Sequence, residues 1–420
     1  MSRIHARGRF SGKPGLHRIR ALMDALGNPQ KQLRFIHLAG TNGKGSTATM
    51  IASILRESGY RVGLYTSPYL VRFHERIAVN GALIGDGDLV RLTEVTERAA
   101  DGLTLPAGEH IGEFEFVTAV AFQYFLEQRC DIVVLETGLG GSFDATNVID
   151  PPEVAVITSI SLDHMAVLGN TVEEIARTKA GIIKPSSAVV SARGQDDAVY
   201  AVLREACPEL IVPPEPILQK MDAQGETFTL DGAVYHTTLL GKYQIENAAT
   251  AITAVKAFAS RGNLVRETAY FDGIERARIP ARMEIKSREP LVIVDGGHNE
   301  DGVRATVECL RAIDRCKGFI LVVGMVADKA VDLCIRRFAS VARYMIVTQP
   351  QNERALPAAE LAALARRYCA DVACYPTLPE ALDAALAAAP PEEQIAVCGS
   401  LYLAGEAEQY FADRQKPTKS

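Results

Sequence analysis

The sequence predicts an α/β protein of two domains, each built on a mostly parallel sheet. Short and nearly continuous aliphatic segments recur along the 420 residues, helical segments separate them, and polar or glycine-rich turns follow several of them. Strands of this composition have both faces buried, as in a parallel sheet covered by helices. The length is sufficient for two or three domains with substantial cores.

Eight segments have the composition of buried strands. They share runs of aliphatic residues and occupy residues 35–39, 62–66, 132–136, 154–159, 291–295, 319–324, 344–348 and 394–399. Three segments between them have the composition of helices, at residues 46–58, 115–128 and 356–369. This alternation of strand and helix is typical of an α/β architecture.

The prolines at 280 and 290 mark the expected change of domain. We predict a first domain over residues 1–280, a linker over 281–289, a second domain over 290–412 and a disordered polar tail over 413–420. The second domain repeats strands and helices at regular spacing over about 120 residues, which is a normal domain size. Within the first domain, residues 226–230 and 233–238 predict a small antiparallel hairpin.

The composition excludes several classes of function. Hydrophobic residues make up 48% and charged residues 23%, and the formal net charge is −6. This charge gives no general affinity for nucleic acid or for anionic membranes, and no apolar run approaches the roughly 20 residues that cross a bilayer. The eight cysteines form no C-x-x-C pair. We therefore expect a reduced, cytoplasmic protein without a structural zinc site.

A glycine-rich segment after the first strand carries the clearest functional signal. It reads Gly40-Thr41-Asn42-Gly43-Lys44-Gly45-Ser46-Thr47. Its glycines let backbone amides approach an anion, Lys44 supplies a charge for the outer phosphates, and the next helix presents its positive end. The usual loop is G-x-x-x-x-G-K-[ST], whereas here Leu38 replaces the first glycine and Gly45 follows the lysine. We predict a variant phosphate-binding loop in which Ser46 or Thr47 reaches a phosphate or a metal; the alternative is an ordinary turn.

Polar side chains follow two further predicted strands. Glu136 ends the strand at 132–136, at the edge where parallel sheets bind ligands, and a carboxylate there suits Mg²⁺ beside phosphate. Asp163 and His164 follow the strand at 154–159, and either could ligate a metal. Lys179 falls in a predicted helix, where a lone lysine is normally a solvated surface residue.

Two turns in the second domain also follow predicted strands. After the strand at 291–295, Asp295 and His298 could contact a nucleotide or order a substrate; the alternative is a tight turn with a capping aspartate. The second turn follows the strand at 394–399. It reads Cys398-Gly399-Ser400-Leu401-Tyr402 and is either an anion-facing turn or an ordinary strand–helix junction.

In this order the motifs resemble the folylpolyglutamate synthase / dihydrofolate synthase family of the Mur ligase superfamily. Besides the phosphate-binding loop, the matching segments include Thr66-Ser67-Pro68, Glu75-Arg76-Ile77, Phe114-Glu115-Phe116, Leu135-Glu136-Thr137-Gly138, Asp144-Ala145-Thr146-Asn147, Ser161-Leu162-Asp163-His164 and Asp295-Gly296-Gly297-His298-Asn299. The family commonly has alanine where Gly297 stands, proline where Glu300 stands, and glycine and phenylalanine where Ala281 and Met283 flank Arg282. These departures remove no charged group.

The resemblance implies a P-loop-type domain followed by a smaller Rossmann-like domain, and it assigns several site residues. Ser67, Glu136 and His164 correspond to ligands of Mg²⁺, of which two ions are implied, and Lys179 corresponds to a lysine that becomes carbamylated. Beyond the phosphate-binding loop, the implied ATP contacts are Asn247, Arg282, Asp295 and His298.

The implied reaction adds L-glutamate to a folate-type carboxylate through an acyl phosphate, with release of ADP and phosphate. The acid is dihydropteroate, tetrahydrofolate or both, and His298 or Asp163 is the candidate base for the attacking amine. One alternative is a Mur-type ligase acting on a cell-wall precursor, which the folate-type segments at 114–116 and 161–164 disfavour. Another is a nucleotide switch, which needs no Asp/His turn in a second domain. We expect a monomer without nucleic-acid or membrane partners.

Overall fold

The computed structural model describes residues 2–5, 7–8, 14–163, 165–327 and 330–415. The chain forms two compact units, each of which takes up more than one segment of the sequence. Unit 1 consists of Met1–Pro216, Leu230–Tyr235 and Glu246–Ala277, and unit 2 consists of Ile217–Thr229, His236–Ile245 and Arg278–Ser420. Unit 2 therefore takes in residues 217–229 and 236–245, which the sequence analysis assigned to the first domain.

The described residues contain sixteen strands, numbered here in chain order. They are β1 (Phe35–Ala39), β2 (Val62–Tyr65), β3 (Ile77–Val79), β4 (Ala82–Leu83), β5 (Ile132–Glu136), β6 (Val154–Ile157), β7 (Ala188–Ser191), β8 (Ile217–Asp222), β9 (Gly225–Leu230), β10 (Ala233–Thr237), β11 (Glu284–Arg288), β12 (Leu291–Val294), β13 (Phe319–Val323), β14 (Ala342–Val347), β15 (Val372–Cys374) and β16 (Gln394–Cys398). All eight strands predicted from aliphatic runs are present.

Fifteen α-helices are present in the same residues. They are α1 (Ser2–His5), α2 (His17–Ala25), α3 (Lys44–Glu57), α4 (Asp86–Asp101), α5 (Glu113–Glu127), α6 (Met165–Leu168), α7 (Val172–Ala180), α8 (Asp197–Ala206), α9 (Lys242–Ser260), α10 (Glu267–Arg276), α11 (Glu300–Ile313), α12 (Val331–Ala339), α13 (Ala358–Ala365), α14 (Leu378–Ala388) and α15 (Leu401–Gln415). The last helix extends three residues into the tail predicted to be disordered, and residues 416–420 lie outside the described part.

Unit 1 is organised around a seven-stranded sheet in the order β4-β3-β2-β5-β1-β6-β7. Five neighbouring strands of this sheet are parallel, namely β2, β5, β1, β6 and β7. The strands β3 and β4 add an antiparallel edge. Every residue of β1, β5 and β6 is buried, which explains their aliphatic composition. In the register of β1 and β5, Leu38 pairs with Glu136. The strand ends that precede the phosphate-binding loop and that carry Glu136 are therefore neighbours.

Unit 2 is organised around a six-stranded sheet in the order β11-β12-β16-β13-β14-β15. All its strands are parallel except β11, which pairs antiparallel with β12 at one edge. Its hydrophobic core joins residues of this sheet to Ala223 and Leu240, which come from the segments before residue 278. Both sheets confirm the predicted α/β class.

The 213–240 region forms a three-stranded sheet in the order β10-β9-β8. The hairpin predicted at 226–230 and 233–238 corresponds to β9 and β10, and β8 is an additional strand that the sequence analysis did not identify. Three of the six residues of β8 are polar and none is fully buried, so it has no aliphatic run to reveal it.

Candidate active site

The phosphate-binding loop connects β1 to α3, and two of its glycines are required by close packing. Gly43 is the residue before α3 and has a φ of 84°, in the left-handed region that favours glycine. A Cβ atom on Gly43 would lie 2.4 Å from Oδ1 of Asn247, and one on Gly40 would lie 1.9 Å from Oγ1 of Thr158. The loop backbone therefore passes directly beside Asn247, which the family resemblance assigned to the nucleotide.

Hydrogen bonds fix the loop to the segment that follows β6. The amides of Thr41 and Asn42 donate to the carbonyl of Ser159 at 2.7 and 3.2 Å. The hydroxyl of Thr41 donates to the carbonyl of Ser161 and accepts from its amide, both at 3.1 Å. The structure thus holds the loop together with the segment that leads to Asp163.

Two lysine side chains converge on one carbonyl of this loop. Lys44 Nζ donates to the carbonyls of Gly40 and Thr41 at 3.1 and 3.3 Å, and Lys179 Nζ donates to the same Gly40 carbonyl at 2.6 Å. Lys179 is only 3% exposed, so its interpretation as a solvated surface residue is wrong. The lysine lies near the end of α7, where Ala176 and Ala180 are buried in one core with Ala39 and Ile157 of the unit 1 sheet.

The surroundings of Lys179 change its protonation. Burial first, and the positive charge of Lys44 second, lower the pKa of Lys179 to about 7. The negative charges of Asp163 and Asp144 act in the opposite direction. Near neutral pH a large fraction of this side chain is therefore a neutral amine.

Oxygen donors collect around the first turn of α3. Glu136 is 2% exposed, and its Oε2 accepts a hydrogen bond from the amide of Ser67 at 2.9 Å. The same Oε2 lies 3.5 Å from the position that a Cβ on Gly45 would take, so the carboxylate faces the loop. Ser46 and Thr47 are buried, and within the described residues the Thr47 hydroxyl has no hydrogen-bond partner.

His164, the third predicted metal ligand, lies outside the described residues. Among the residues that are described, no three His, Cys, Asp or Glu side chains form a group able to hold a metal. The donors present are instead the carboxylate of Glu136 and the oxygens of Ser67 and Thr47. Hard oxygen donors of this kind suit Mg²⁺ beside phosphate, which keeps several waters and takes few protein ligands.

Asp144, Thr146 and His37 form a buried network beside the loop that follows Glu136. The sequence analysis quoted the segment 144–147 but gave it no role. Asp144 accepts hydrogen bonds from the amide of Leu139 at 2.8 Å and from the hydroxyl of Thr146 at 2.6 Å. Because that hydroxyl donates to Asp144, the contact of His37 Nε2 with it at 2.8 Å makes His37 the donor. Burial lowers the pKa of His37 to about 3, with Lys184 contributing second, so the ring is neutral. The turn at residues 144–147 thus ties β1 to the loop after Glu136.

In unit 2, the carboxylate of Asp295 is occupied by its own surroundings. One oxygen accepts from the amide of Gly297 at 2.9 Å and from the hydroxyl of Thr306 at 2.5 Å, and the other accepts from the amide of Met283 at 3.0 Å. Nδ1 of His298 lies 3.0 Å from the carbonyl of Gly296, so that nitrogen carries the proton. These bonds make Asp295 part of a tight turn, whereas the residue that caps α11 is Asn299, whose Oδ1 accepts from the amide of Gly302 at 2.8 Å. The nucleotide contacts of Asp295, His298 and Arg282 stay predictions.

Comparison with known proteins identifies the family. The Mur ligase middle domain matches residues 113–255, and the Mur ligase glutamate ligase domain matches residues 281–401. The chain is 36% identical over 424 residues to the folylpolyglutamate synthase of Lacticaseibacillus casei, covering 97% of this chain and 96% of that protein. The chain belongs to the folylpolyglutamate synthase / dihydrofolate synthase family. It is therefore an ATP-dependent acid–amino-acid ligase, as the family resemblance implied.

Two further comparisons agree with this family. The chain is 39% identical over 353 residues to the dihydrofolate synthase/folylpolyglutamate synthase of Bacillus subtilis, covering 81% of this chain and 82% of that protein. A solved structure of FolC from E. coli, in complex with DHPP and ADP, superimposes with a TM-score of 0.84 at 29% identity, covering 99% of this chain and 97% of that one. Within the described residues, no helix combines the length and hydrophobicity needed to cross a membrane.

Proposed function

We propose that this folylpolyglutamate synthase / dihydrofolate synthase family member joins the α-amine of L-glutamate to a carboxylate of dihydropteroate, tetrahydrofolate or both, with hydrolysis of ATP to ADP and phosphate. The observation that carries the proposal is the arrangement of Lys44, Lys179 and Glu136 around one phosphate-binding loop at the carboxyl edge of the unit 1 sheet. The E. coli relative, solved with DHPP and ADP, supports a folate-type acid as the acceptor.

The chemistry requires activation because a carboxylate is a poor acyl donor. Transfer of the γ-phosphoryl group gives an acyl phosphate, in which the C–O bond to phosphate breaks once the amine has attacked and the tetrahedral intermediate collapses. The loop amides and Lys44 would stabilise the charge of the transferring phosphoryl group, which is chiefly a task of positioning and electrostatics. The attacking amine must lose a proton, and Asp163 and His298 are the candidate bases.

Magnesium fits the oxygen donors around α3. Glu136 and the hydroxyls of Ser67 and Thr47 would hold it, with His164 as the remaining predicted ligand. The buried Thr47 hydroxyl without a partner among the described residues is an oxygen that a cation or a phosphate would satisfy. When bound, Mg²⁺ neutralises charge on the phosphates, and the family resemblance implies two such ions.

Lys179 has the properties that carbamylation requires. Only a neutral amine adds to CO₂, and burial together with Lys44 lowers the pKa of Lys179 to about 7. The neutral amine forms an N–C bond as one C–O π bond of CO₂ opens, and it releases one proton, so that the neutral side chain becomes an anion. Such a carbamate would remove the repulsion between Lys179 and Lys44 and would offer oxygens to the second magnesium ion.

The remaining features of the proposal concern the protein as a whole. We propose a cytoplasmic monomer that acts on small molecules, without nucleic-acid or membrane partners. The net charge of −6 supports the absence of a nucleic-acid or anionic-membrane partner.

Replacement of Lys44 by alanine tests the role of the loop. We expect Lys44→Ala to abolish ATP-dependent glutamate ligation, while Lys31→Ala, which removes an exposed lysine of unit 1, leaves the rate unchanged. ADP release is measured in a coupled assay at saturating acid and glutamate. Turnover like that of the wild type in Lys44→Ala would overturn the proposal.

Omission of each substrate tests the reaction class, and comparison of the two acids tests the acceptor. We expect ADP release to require both the acid and L-glutamate, and the assay compares dihydropteroate with tetrahydrofolate side by side. ADP release when neither dihydropteroate nor tetrahydrofolate is present would favour a nucleotide switch over a ligase.

A further inference from the structure

Arg282 lies between two residues whose backbone conformation is unfavourable. Ala281 has a φ of 54° and Met283 a φ of 51°, in the left-handed region that residues with a Cβ atom rarely adopt. Both flanking side chains are fully buried, whereas that of Arg282 is partly exposed. The strained turn therefore buries the residues on either side of Arg282 and leaves Arg282 itself partly exposed.

Three hydrogen bonds hold this turn in place. The amide of Ala281 donates to Oε2 of Glu284 at 2.9 Å, and the carbonyl of Ala281 accepts from the amide of Gly296 at 2.8 Å. On the other side of Arg282, the amide of Met283 donates to Oδ2 of Asp295 at 3.0 Å. A strained conformation persists only where its surroundings determine it, and two carboxylates supply much of that determination here.

The strand register explains why these two carboxylates flank the turn. Glu284 begins β11 and pairs with Val294, the last residue of β12. Asp295 follows directly, so both carboxylates lie at the same end of the antiparallel pair. The turn at residues 281–283 leads straight into this end.

Glu284 is itself fixed by an ion cluster whose other two members are largely buried. Its Oε1 accepts a hydrogen bond from Lys286 Nζ at 2.5 Å, and Lys286 also pairs with Glu408 of α15. The side chains of Lys286 and Glu408 are only 12% and 14% exposed. Since one oxygen of Glu284 is held by Lys286, the other is kept directed at the amide of Ala281.

We propose that Glu284 is a positioning residue that holds the strained turn at 281–283 and thereby fixes the orientation of Arg282, the predicted nucleotide contact. The inference rests on the proposed role of Arg282 in ATP binding. Glu284 need not touch the nucleotide. It orders Arg282 before the nucleotide binds, so that binding costs less conformational entropy.

The affinity for ADP, measured by calorimetry, tests this inference. We expect Glu284→Ala to weaken ADP binding about tenfold and to raise KM for ATP by a similar factor, with kcat at saturating ATP changed by less than about threefold. Replacement of Ala281 by glycine removes the cost of the left-handed conformation. In the Glu284→Ala background, Ala281→Gly should therefore restore most of the ADP affinity, while in the wild-type background it leaves the affinity unchanged.

Two outcomes would overturn the inference. One is wild-type ADP affinity in Glu284→Ala, and the other is a loss of affinity that Ala281→Gly does not recover. A general loss of stability would not be specific to ADP affinity, and thermal unfolding of each variant identifies it. If Glu284→Ala does not fold, Glu284→Gln carries the test, because it keeps an acceptor oxygen but loses the ion pair with Lys286; wild-type affinity in that variant counts against the inference.

A separate variant distinguishes failure of the inference from failure of the proposed function. Arg282→Ala should weaken ADP binding by itself, and adding Glu284→Ala to it should cause little further loss, since both changes remove the same contact. If Arg282→Ala leaves ADP binding unchanged, the assignment of Arg282 to the nucleotide is wrong. If Arg282→Ala weakens binding but Glu284→Ala does not, only the role of Glu284 is wrong.

Discussion

Lys179 places an amine in a buried position beside a second cation, and this arrangement costs stability. The pKa of Lys179 is about 7 in the folded chain, against an ordinary value of 10.5. Between these values the folded protein binds fewer protons than the unfolded chain, so the free energy of unfolding rises with pH across this window, by up to about 1.4 kcal/mol per pH unit. Below pH 7 both states are protonated and the full cost of burying the ammonium is present.

Replacement of Lys179 by methionine should therefore stabilise the protein while destroying its activity. At pH 7.5 in bicarbonate-free buffer we expect Lys179→Met to raise the free energy of unfolding by about 1–3 kcal/mol, and this gain should shrink as the pH approaches 10.5. Urea unfolding at several pH values measures the difference. A variant that is less stable than the wild type at pH 7.5 would show that the ammonium is not a net cost.

Thr47 offers a second test at the scale of one residue, since its buried hydroxyl has no partner in the described part of the chain. Valine has the same shape without the hydroxyl, so we expect Thr47→Val to raise the unfolding free energy of the unliganded protein by about 1 kcal/mol. ADP with Mg²⁺ should then stabilise the variant less than the wild type. Thermal unfolding with and without these ligands measures both effects.

Thr47→Ser is the matched control, because it keeps the hydroxyl and loses only a methyl group. We expect it to retain the full shift of the unfolding midpoint on addition of ADP and Mg²⁺. An equal ligand-induced shift in Thr47→Val would remove Thr47 from the proposed magnesium and phosphate contacts.

Single residues differ in how far the sequence reveals them. The positions of Lys44 and Glu136 could be predicted because Glu136 ends one recognisable buried strand and Lys44 follows another by a short loop. Lys179 was not identified by residue physics, because its burial depends on how α7 packs on a distant part of the chain. The strain around Arg282 has no sequence signature at all, since alanine and methionine give no sign of a left-handed backbone.

At the scale of elements, the loop between β2 and β3 depends on one carboxylate. Glu75 accepts hydrogen bonds from the amides of Leu70 at 2.7 Å, Val71 at 3.1 Å and Arg72 at 2.7 Å. We expect Glu75→Ala to speed amide exchange of residues 70–72 by at least about tenfold and to lower ligation, because Ser67 in the same loop contacts Glu136. Hydrogen exchange detected on the peptide that covers residues 66–76 measures the first effect.

Glu75→Gln provides the graded control for this loop. Its amide keeps one acceptor oxygen, so we expect exchange rates between those of the wild type and of Glu75→Ala. Exchange at residues 70–72 that is unchanged in both variants would show that the loop is held by other contacts.

Strands were predicted correctly where burial of both faces requires aliphatic residues. The strands at the centre of each sheet have both faces covered, and hydrophobic sequence alone located them to within two residues at each end. The short strands β3, β4, β7 and β15 and the polar strand β8 were not predicted, because these short strands of two to four residues show too brief an aliphatic run and an exposed strand needs none. The side chains of β11 are likewise only partly buried, although β11 carries Glu284 and thus positions Arg282.

At the scale of the whole molecule, two-domain organisation was predictable, but the division of the chain between the units was not. Proline and the restart of strand periodicity near residue 280 suggested one boundary. The structure instead groups residues 217–229 and 236–245 with the segment from Arg278 onward. This grouping of separated segments depends on long-range packing, which composition and periodicity along a single sequence do not reveal.

This division predicts that residues 278–415 will not form a stable domain by themselves. The fragment lacks Ala223 and Leu240, which are buried in the same core as Phe319 and Val303, and it lacks β8. We expect it to unfold with a broad transition or to expose its core, whereas the intact chain unfolds cooperatively. Circular dichroism during urea unfolding, together with binding of a hydrophobic dye, distinguishes the two states.

Leu240→Ala in the intact chain is the matched test of the same packing. Leu240 is fully buried, so the cavity left by its truncation should lower the free energy of unfolding by about 2–5 kcal/mol. A fragment of residues 278–415 that unfolds as sharply as the intact protein would contradict the prediction. So would a Leu240→Ala variant with wild-type stability, because both results would mean that the core of unit 2 is complete without the segments that precede residue 278.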